Sequence, residues 1–539
     1  MKILTAEEMG AADRRSIEAG VPVRALMRDA GGAVARFCLG HFRDEGLVVV
    51  LCGKGNNGGD GMVAAMHLAG AGRSVRMVLL GAAGDLKGEA ASAFAVARAT
   101  QASMDLREIA NENQLHAALE GAMLVLDAVV GTGFKPPLRG LATIARDLLA
   151  KSSAPVVAVD LPSGWDADSM EQSADGAFRA DAVVTFTAPK LAHVFGHLTP
   201  GKSFGPVVVA PIGTPETAVQ SETRLHWGGA AKALMETPRD INGNKGKFGH
   251  VLLVGGAFGK AGAPSMASLA AMRAGAGLVT AAVPREILPI VAAVAPELML
   301  TPLVTEGSGG VSLDVLDDDP LTQLLKGITV VGIGPGLGQE GTTPEWVRTF
   351  VERVTLPMVI DADALNALAG HTALLKSAAK SGKRTIVLTP HPGEMARLTG
   401  LTVKQVESDR VGLARSFATS NGVTLVLKGW RTLVAHPGGR IAVNTTGNPA
   451  MAKSGSGDIL TGIVAAMLAQ YGDEKKGGDV ALAVEAAVFL HGLAGDFATL
   501  AQDEHTVLAT DTVGHLWQAF RARVADADGM TWIAGTAAQ

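Results

Sequence analysis

Short, uninterrupted apolar runs recur along the chain in two series, and nothing else in the sequence limits its fold as strongly. The first series contains LVVVLC (47–52), SVRMVLL (74–80), MLVLDAVV (123–130), PVVAVDLP (155–162) and DAVVTFTA (181–188). The second contains HVLLVGG (250–256), LVTAAVP (278–284), ITVVGIG (328–334), PMVIDAD (357–363), TIVLTPH (385–391) and TLVLKG (424–429). Runs this short, ending in glycine or aspartate, read as strands buried on both faces. Helical patterns separate several of them, as at 62–70 and 141–151. Strands alternating with helices predict parallel α/β sheets with right-handed crossovers. A chain of 539 residues exceeds what one core can serve. The expected fold class is therefore α/β with two domains, the first a doubly wound sheet.

Between the series, 214–238 is polar, carries Pro215 and Pro238, and reads as a connector with a short helix. The domains expected are 1–213 and 239–525, and no shared motif makes them copies of one repeat. Gly is abundant (67 residues) and aromatics make up only 4%, which suits layers where backbone passes close to backbone or ligand. The net charge of −5 argues against general nucleic-acid binding, which needs a basic surface. Two cysteines, Cys38 and Cys52, support neither a disulfide framework nor a metal site and suit a reducing compartment. The N-terminus shows no signal-like apolar region, and the apolar segment after Pro264 is interrupted by Arg273. A soluble, cytoplasmic chain with no membrane or nucleic-acid partner is the expectation.

The segment Gly53–Gly61 (GKGNNGGDG) joins a strand run to a helix pattern. Its glycines permit close ligand approach, and the helix start offers unpaired N–H groups to a phosphate. The alternative is a Gly/Asn turn with Asp60 as a helix cap. Two further strand ends should meet this loop, because open α/β sheets bind ligands at the carboxyl ends of their strands. Asp127 precedes Gly131-Thr132-Gly133, and Asp160 precedes Leu161-Pro162-Ser163-Gly164. Oxygens of Asn57, Asp127 and Ser163 could hold a hard cation; each aspartate could instead form a turn or cap.

NNGGDG, DAVVGTG and VDLPSG, in this order, resemble the NAD(P)HX epimerase family over about 1–212, with a Rossmann-like fold. The resemblance implies substrate contacts at Asn56, Asn57, Gly58, Gly59 and Asp60, at Gly131, Thr132, Gly133, Phe134, Lys135, Pro136 and Pro137, and at Asp160. It also implies potassium held by Asn57, Asp127 and Ser163. The reaction interconverts the R and S epimers of the hydrated nicotinamide ring at C6, which requires an acid or base near that carbon. Asp160 is the first candidate; Lys190, in TAPK, is a second whose alternative is packing.

The run Gly447–Asp458 (GNPAMAKSGSGD) feeds the apolar stretch 459–470. Exposed N–H groups there would form an anion hole, with Asp458 placed to touch a reacting hydroxyl; the alternative is a plain N-cap. SGSGDILTG resembles the GxGD signature of the ribokinase-like superfamily. Together with NGNKGKFGHVLLVGG (242–256), GKAGAPSMAS (259–268), GIGPGLG (332–338), DADALNAL (361–368) and TPHPGEMARL (389–398), it resembles the ADP- or ATP-dependent NAD(P)HX dehydratase over about 239–520. The resemblance implies hydrated-cofactor contacts at Ala263, Gly336, His391 and Asp458. It implies adenine-nucleotide contacts at Lys428, Gly429, Trp430, Arg431, Thr432 and Gly457. Asp458 would deprotonate the C6 hydroxyl for phosphorylation, with Mg²⁺ on the nucleotide phosphates. His391 could instead bond across its turn, Asp361 and Asp363 could bind a cation or cap a helix, and Lys245 and Lys247 could be solvated charges.

The function these resemblances imply is repair of NADHX and NADPHX: epimerisation, then nucleotide-dependent dehydration with release of AMP or ADP and phosphate. ADP is the donor favoured, by resemblance alone. The rival is a kinase of a small hydroxylated vitamin precursor or sugar, with the N-terminal domain a nucleotide-binding module. Domains of this kind often self-associate, which leaves a homo-oligomer open.

Overall fold

The first series of apolar runs, with two strands more, forms β1 (Leu47–Cys52), β2 (Ser74–Leu80), β3 (Asp105–Ile109), β4 (Ala122–Ala128), β5 (Val156–Val159), β6 (Ala182–Phe186) and β7 (Val207–Ala210). The rest of the chain adds β8 (Leu225–Trp227), β9 (His250–Val254), β10 (Leu278–Pro284), β11 (Met299–Leu303), β12 (Val330–Ile333) and β13 (Met358–Ile360). It continues through β14 (Ile386–Leu388), β15 (Thr424–Leu427), β16 (Leu433–Ala435) and β17 (Ile441–Val443) to β18 (Thr531–Ala534). The structure is a computed structural model and describes residues 1–99, 104–200, 205–307, 309–380 and 384–536. One unit contains Met1–Leu225 with Arg523–Gln539; the other contains His226–Ala522.

The first sheet runs β18-β7-β6-β5-β4-β1-β2-β3. Its pairs are parallel except β18 against β7. Alternate side chains of β1 serve two cores, Val48 and Val50 on one face, Val49 and Leu51 on the other, so helices cover both faces. The chain lays down β1, β2 and β3 in one direction, then returns to place β4 beside β1. That reversal opens a crevice at the carboxyl ends of β1 and β4, where the Gly53 loop and Asp127 lie.

The second sheet runs β11-β10-β9-β12-β13-β14-β15-β16-β17-β8. It is parallel from β11 to β15 and continues with antiparallel β16 and β17. Its reversal falls between β9 and β12. The helix Val480–Ala501 is long and apolar enough to cross a membrane by length and composition, yet 78% of its apolar window is buried inside the structure. It is packed as a core helix.

The stretch read as a connector is divided between the units. Its first part packs on the N-terminal segment: Ala218 and Val219 carbonyls accept from Arg15 and Lys2, and Leu225 O accepts from Ile3 N. Its second part enters the other core, where buried Trp227 donates to Thr445 Oγ1 at 2.8 Å and meets Phe489 edge-on. The C-terminal segment, beyond the expected boundary at 525, supplies β18 to the first sheet.

Candidate functional site

In the first unit, the reversal point opens into a cavity of about 980 Å³. The helix Asn56–Gly70 starts there behind Gly55, with no side-chain cap, so its first N–H groups remain available to an anion. Close approach makes the turn: a Cβ on Gly53 would lie 1.9 Å from Val129 O, and one on Gly58 would lie 2.0 Å from Gly53 O. Asp60 lies inside this helix and does not cap it.

Of the expected substrate contacts, Asn56, Asn57, Asp60, Gly131, Thr132, Gly133, Phe134 and Asp160 line this cavity. Gly58 and Gly59 are buried in the first turn of the helix. Lys135, Pro136 and Pro137 are exposed, and Lys135 Nζ is engaged by Asp166 at 2.7 Å and Asp168 at 2.9 Å.

Asp160 follows β5 with φ of 67°, in the left-handed region that few residues other than glycine adopt. Its neighbours hold it there. The backbone N–H donates to Val184 O (2.8 Å), and the carbonyl meets His193 Nε2 (2.7 Å). Thr132 N (2.9 Å) and Thr132 Oγ1 (2.6 Å) donate to Oδ2; Thr185 Oγ1 (2.9 Å) and Lys190 Nζ (2.8 Å) donate to Oδ1. Burial alone would raise this carboxyl, but the Lys190 ammonium and these bonds hold it well below the usual carboxylate range. Lys190 itself is 1% exposed. Burial and the Lys190 charge push His193 down to about 4, so the ring is neutral near pH 7. With Lys190 N donating to Nδ1 (3.0 Å), the remaining ring proton sits on Nε2 and points at Asp160 O.

Beside this group lies the expected cation set. Asp127 is fully buried, accepting from Ser163 Oγ at 2.6 Å and Ser163 N at 2.7 Å, and burial pushes it up to about 6. The Asn57 carboxamide is buried with both polar atoms unpartnered, and a Cβ on Gly131 would lie 3.0 Å from its Cγ and 2.9 Å from Asp160 Oδ2. A buried carboxylate, a buried hydroxyl and an orphaned amide oxygen are hard donors that fit a cation such as potassium. Among the described residues no group of three His, Cys, Asp or Glu side chains could hold a metal ion.

In the second unit, Gly455 adopts φ of 95° as the N-cap of the helix Ser456–Tyr471, with no side-chain cap. Asp458 is the third residue of that helix, so the plain N-cap alternative does not describe it. Lys428 Nζ lies 3.0 Å from Asp361 Oδ1 and 3.8 Å from Glu394 Oε2, and Thr461 Oγ1 donates to Asp361 Oδ2 at 2.7 Å. A Cβ on Gly457 would lie 3.2 Å from Lys428 Nζ. Burial and the Asp361 charge push Asp458 up to about 6, with Lys428 pulling the other way. Asp361 occupies a helix N-cap position but spends its carboxylate on Lys428 and Thr461. Ala263 and Gly336 are adjacent: a Cβ on Gly336 would lie 3.0 Å from that of Ala263.

His391 does what its turn alternative anticipated. Its Nδ1 accepts from Gly393 N at 3.0 Å, and its own N–H donates to Glu394 Oε2 at 2.8 Å, a reciprocal cap on the helix Pro392–Thr399. The residues after Lys428 form a turn in which Arg410 donates to Trp430 O and Arg431 stacks on the Trp430 ring at 4.3 Å. Lys247 pairs with Asp240 at 3.0 Å, and Lys245 is exposed.

Sequence reasoning missed Thr185 and His193 in the first centre, and Glu394 and Thr461 in the second. Thr185 and His193 carried no glycine or motif signal, and Thr461 sat inside SGSGDILTG but gave no sign that it would bond Asp361. Glu394 was visible three residues after His391, the spacing of a capping box.

Residues 23–192 match the family model described as YjeF-related protein N-terminus, and 251–534 match NAD(P)H-hydrate dehydratase. A bifunctional NAD(P)H-hydrate repair enzyme of Moorella thermoacetica is 40% identical over 528 residues, 96% of each chain. One of Pyrobaculum aerophilum is 38% identical, covering 97% of this chain and 98% of its own. A solved Bacillus subtilis ADP/ATP-dependent NAD(P)H-hydrate dehydratase, co-crystallised with ATP/Mg²⁺, is 30% identical over 55% of this chain and 96% of its own (TM-score 0.44). With relatives aligned along nearly their whole length and both halves matched in order, this chain belongs to the family of bifunctional NAD(P)H-hydrate repair enzymes.

Proposed function

We propose that the chain restores hydrated NADH and NADPH, epimerising the ring at C6 in the first unit and dehydrating the S form at the expense of ADP or ATP in the second. The observation that carries this reading is the presence in one chain of two built centres, each pairing an uncapped helix start with a buried or half-buried carboxyl group.

In the first centre, the helix start Asn56–Gly59 would receive a phosphate of the substrate, and Gly131 to Phe134 would flank the ring. Asp160, the leading candidate from sequence, would present a fixed negative charge to the reacting ring, because four donors keep it ionised. Asn57, Asp127 and Ser163 would hold potassium, which would add a fixed positive charge beside the substrate phosphates. The orphaned amide of Asn57 supports that assignment.

In the second centre, Asp458 would take the proton of the C6 hydroxyl while that oxygen attacks the terminal phosphoryl group of the nucleotide. The N–H groups of Gly455 to Gly457 would face the charge that develops on the phosphoryl oxygens, and Lys428 would stand beside them. Loss of phosphate from C6, with a proton released from C5, then regenerates the ring double bond. Mg²⁺ would neutralise the nucleotide phosphates. Ala263, Gly336 and His391 are the proposed contacts to the hydrated cofactor, and Gly429 to Thr432 with Gly457 those to the nucleotide.

The test is incubation of the protein with mixed R and S NADPHX, ADP or ATP, and Mg²⁺, following the absorbance of the restored dihydronicotinamide. Full recovery of both epimers, dependent on nucleotide, is expected. Recovery of the S form alone would leave the first unit without epimerase activity, and no recovery would sink the repair reading in favour of a kinase.

A further inference from the structure

Two carboxyl groups in the first cavity have no task in the chemistry above. Asp13 comes from the helix Ala6–Glu18, outside every motif of the chain, and Asp60 from the helix after β1. Both line the cavity with Asp160 and Lys190. Neither carboxyl has a hydrogen-bond partner among the described residues, whereas Asp160 accepts four bonds. Burial and the nearby Asp160 charge raise both, Asp60 well above its ordinary range. The cavity thus sets one carboxylate held ionised by four donors against two unpartnered carboxyls, both raised by burial and both opposed by the Lys190 charge.

The carbon to be inverted carries both a hydroxyl and the ring nitrogen N1. At such a hemiaminal carbon, inversion needs no C–H cleavage. It needs an acid to expel the hydroxyl, a fixed negative charge against the resulting cation, and a proton acceptor when water adds back.

We infer, resting on the epimerase reading above, that Asp13 and Asp60 are the acid and base of epimerisation, which proceeds by C6–O cleavage to an iminium set against Asp160. A proton from the pair passes to the C6 hydroxyl. The C6–O bond breaks with its electrons leaving on water, and the N1 lone pair forms the N1–C6 double bond. Water then adds to the opposite face, its oxygen bonding C6 as the double-bond electrons return to N1. The proton it sheds goes back to the carboxylate pair, so the enzyme ends as it began.

The test uses the full chain and (R)-NADPHX in heavy-oxygen water, without nucleotide, against a no-enzyme control. One labelled oxygen is expected at C6 per inversion, with no deuterium at C6 when the reaction is run in heavy water. Asp13→Asn and Asp60→Asn are each expected to slow inversion by about 100-fold or more. Dehydration of the S form should stay unchanged, and Asp13→Glu should restore part of the inversion rate. Inversion with the oxygen retained would overturn the inference in favour of ring opening at C6–N1. Deuterium at C6, or full activity in Asp13→Asn, would overturn it too. Where Asp13→Asn does not fold, the label result and Asp60→Asn decide. A native chain that inverts nothing overturns the epimerase reading itself, which separates that failure from the others.

Discussion

A lysine ammonium at 1% exposure keeps its place because a carboxylate stands 2.8 Å away. Asp160→Asn removes that charge and leaves Lys190 buried and unpaired, a loss of about 3–5 kcal/mol. Calorimetry should show the first unit melting earlier, with much of the loss recovered in Asp160→Asn/Lys190→Met; a single variant as stable as the native chain would refute the pairing argument. Asp458 invites a pH test. Its carboxyl is pushed up to about 6, and only the ionised form can accept the hydroxyl proton. Dehydration kcat/KM should therefore rise with pH through about 6 and level off above it. Asp458→Asn should lower it by about 100-fold or more and abolish that rise. At this scale legibility depended on company. Asp160 and Asp458 were readable because glycine and serine surround them. Asp13 was not, because in AEEMGAADRRSIE a cavity-facing carboxylate looks like a solvated one. Lys190 was ambiguous because only tertiary contact with Asp160 separates packing from function.

The central parallel strands were legible almost to the residue, since burial on both faces forces continuous apolar runs: 47–52 and 74–80 match β1 and β2. The flanks were not. Edge strand β3 reads DLREI, with polar side chains where one side of the strand meets no partner, edge strand β11 carries Thr301 and Pro302, and β16 and β17 are three-residue antiparallel additions. The glycine loop after β1 was legible as a ligand turn, but not which glycines the fold itself requires. Gly53 and Gly58 are required by backbone contact, whereas a Cβ on Gly55 or Gly133 meets nothing within 4 Å. Gly58→Ala should therefore unfold or strongly destabilise the first unit, while Gly55→Ala and Gly133→Ala should fold with native circular dichroism. Equal melting of Gly58→Ala and Gly55→Ala would show that the turn yields without cost.

At the scale of the whole chain, the sequence suggested a boundary at 525, yet the chain returns from Ala522 to close the first sheet. A strand of four residues, separated by more than 300 positions from its partner β7, leaves no periodic signal that could announce the pairing. Its energetic weight is larger than its length. Trp532 is 6% exposed, packs against Phe37 with ring centroids 6.0 Å apart, and donates its Nε1–H to Asp526 at 2.9 Å. Truncation after Ala522 removes this indole from the core and strips β7 of its outer neighbour, leaving it paired to β6 alone. The loss of one buried large aromatic alone is worth about 3–5 kcal/mol. The truncated chain should therefore show an early first calorimetric transition and lost epimerisation, with nucleotide-dependent dehydration retained, because no residue of the second centre lies in the deleted segment. Two transitions that fall together would mean that the units unfold as one. An unchanged first transition would mean that β18 covers the sheet edge without supporting it.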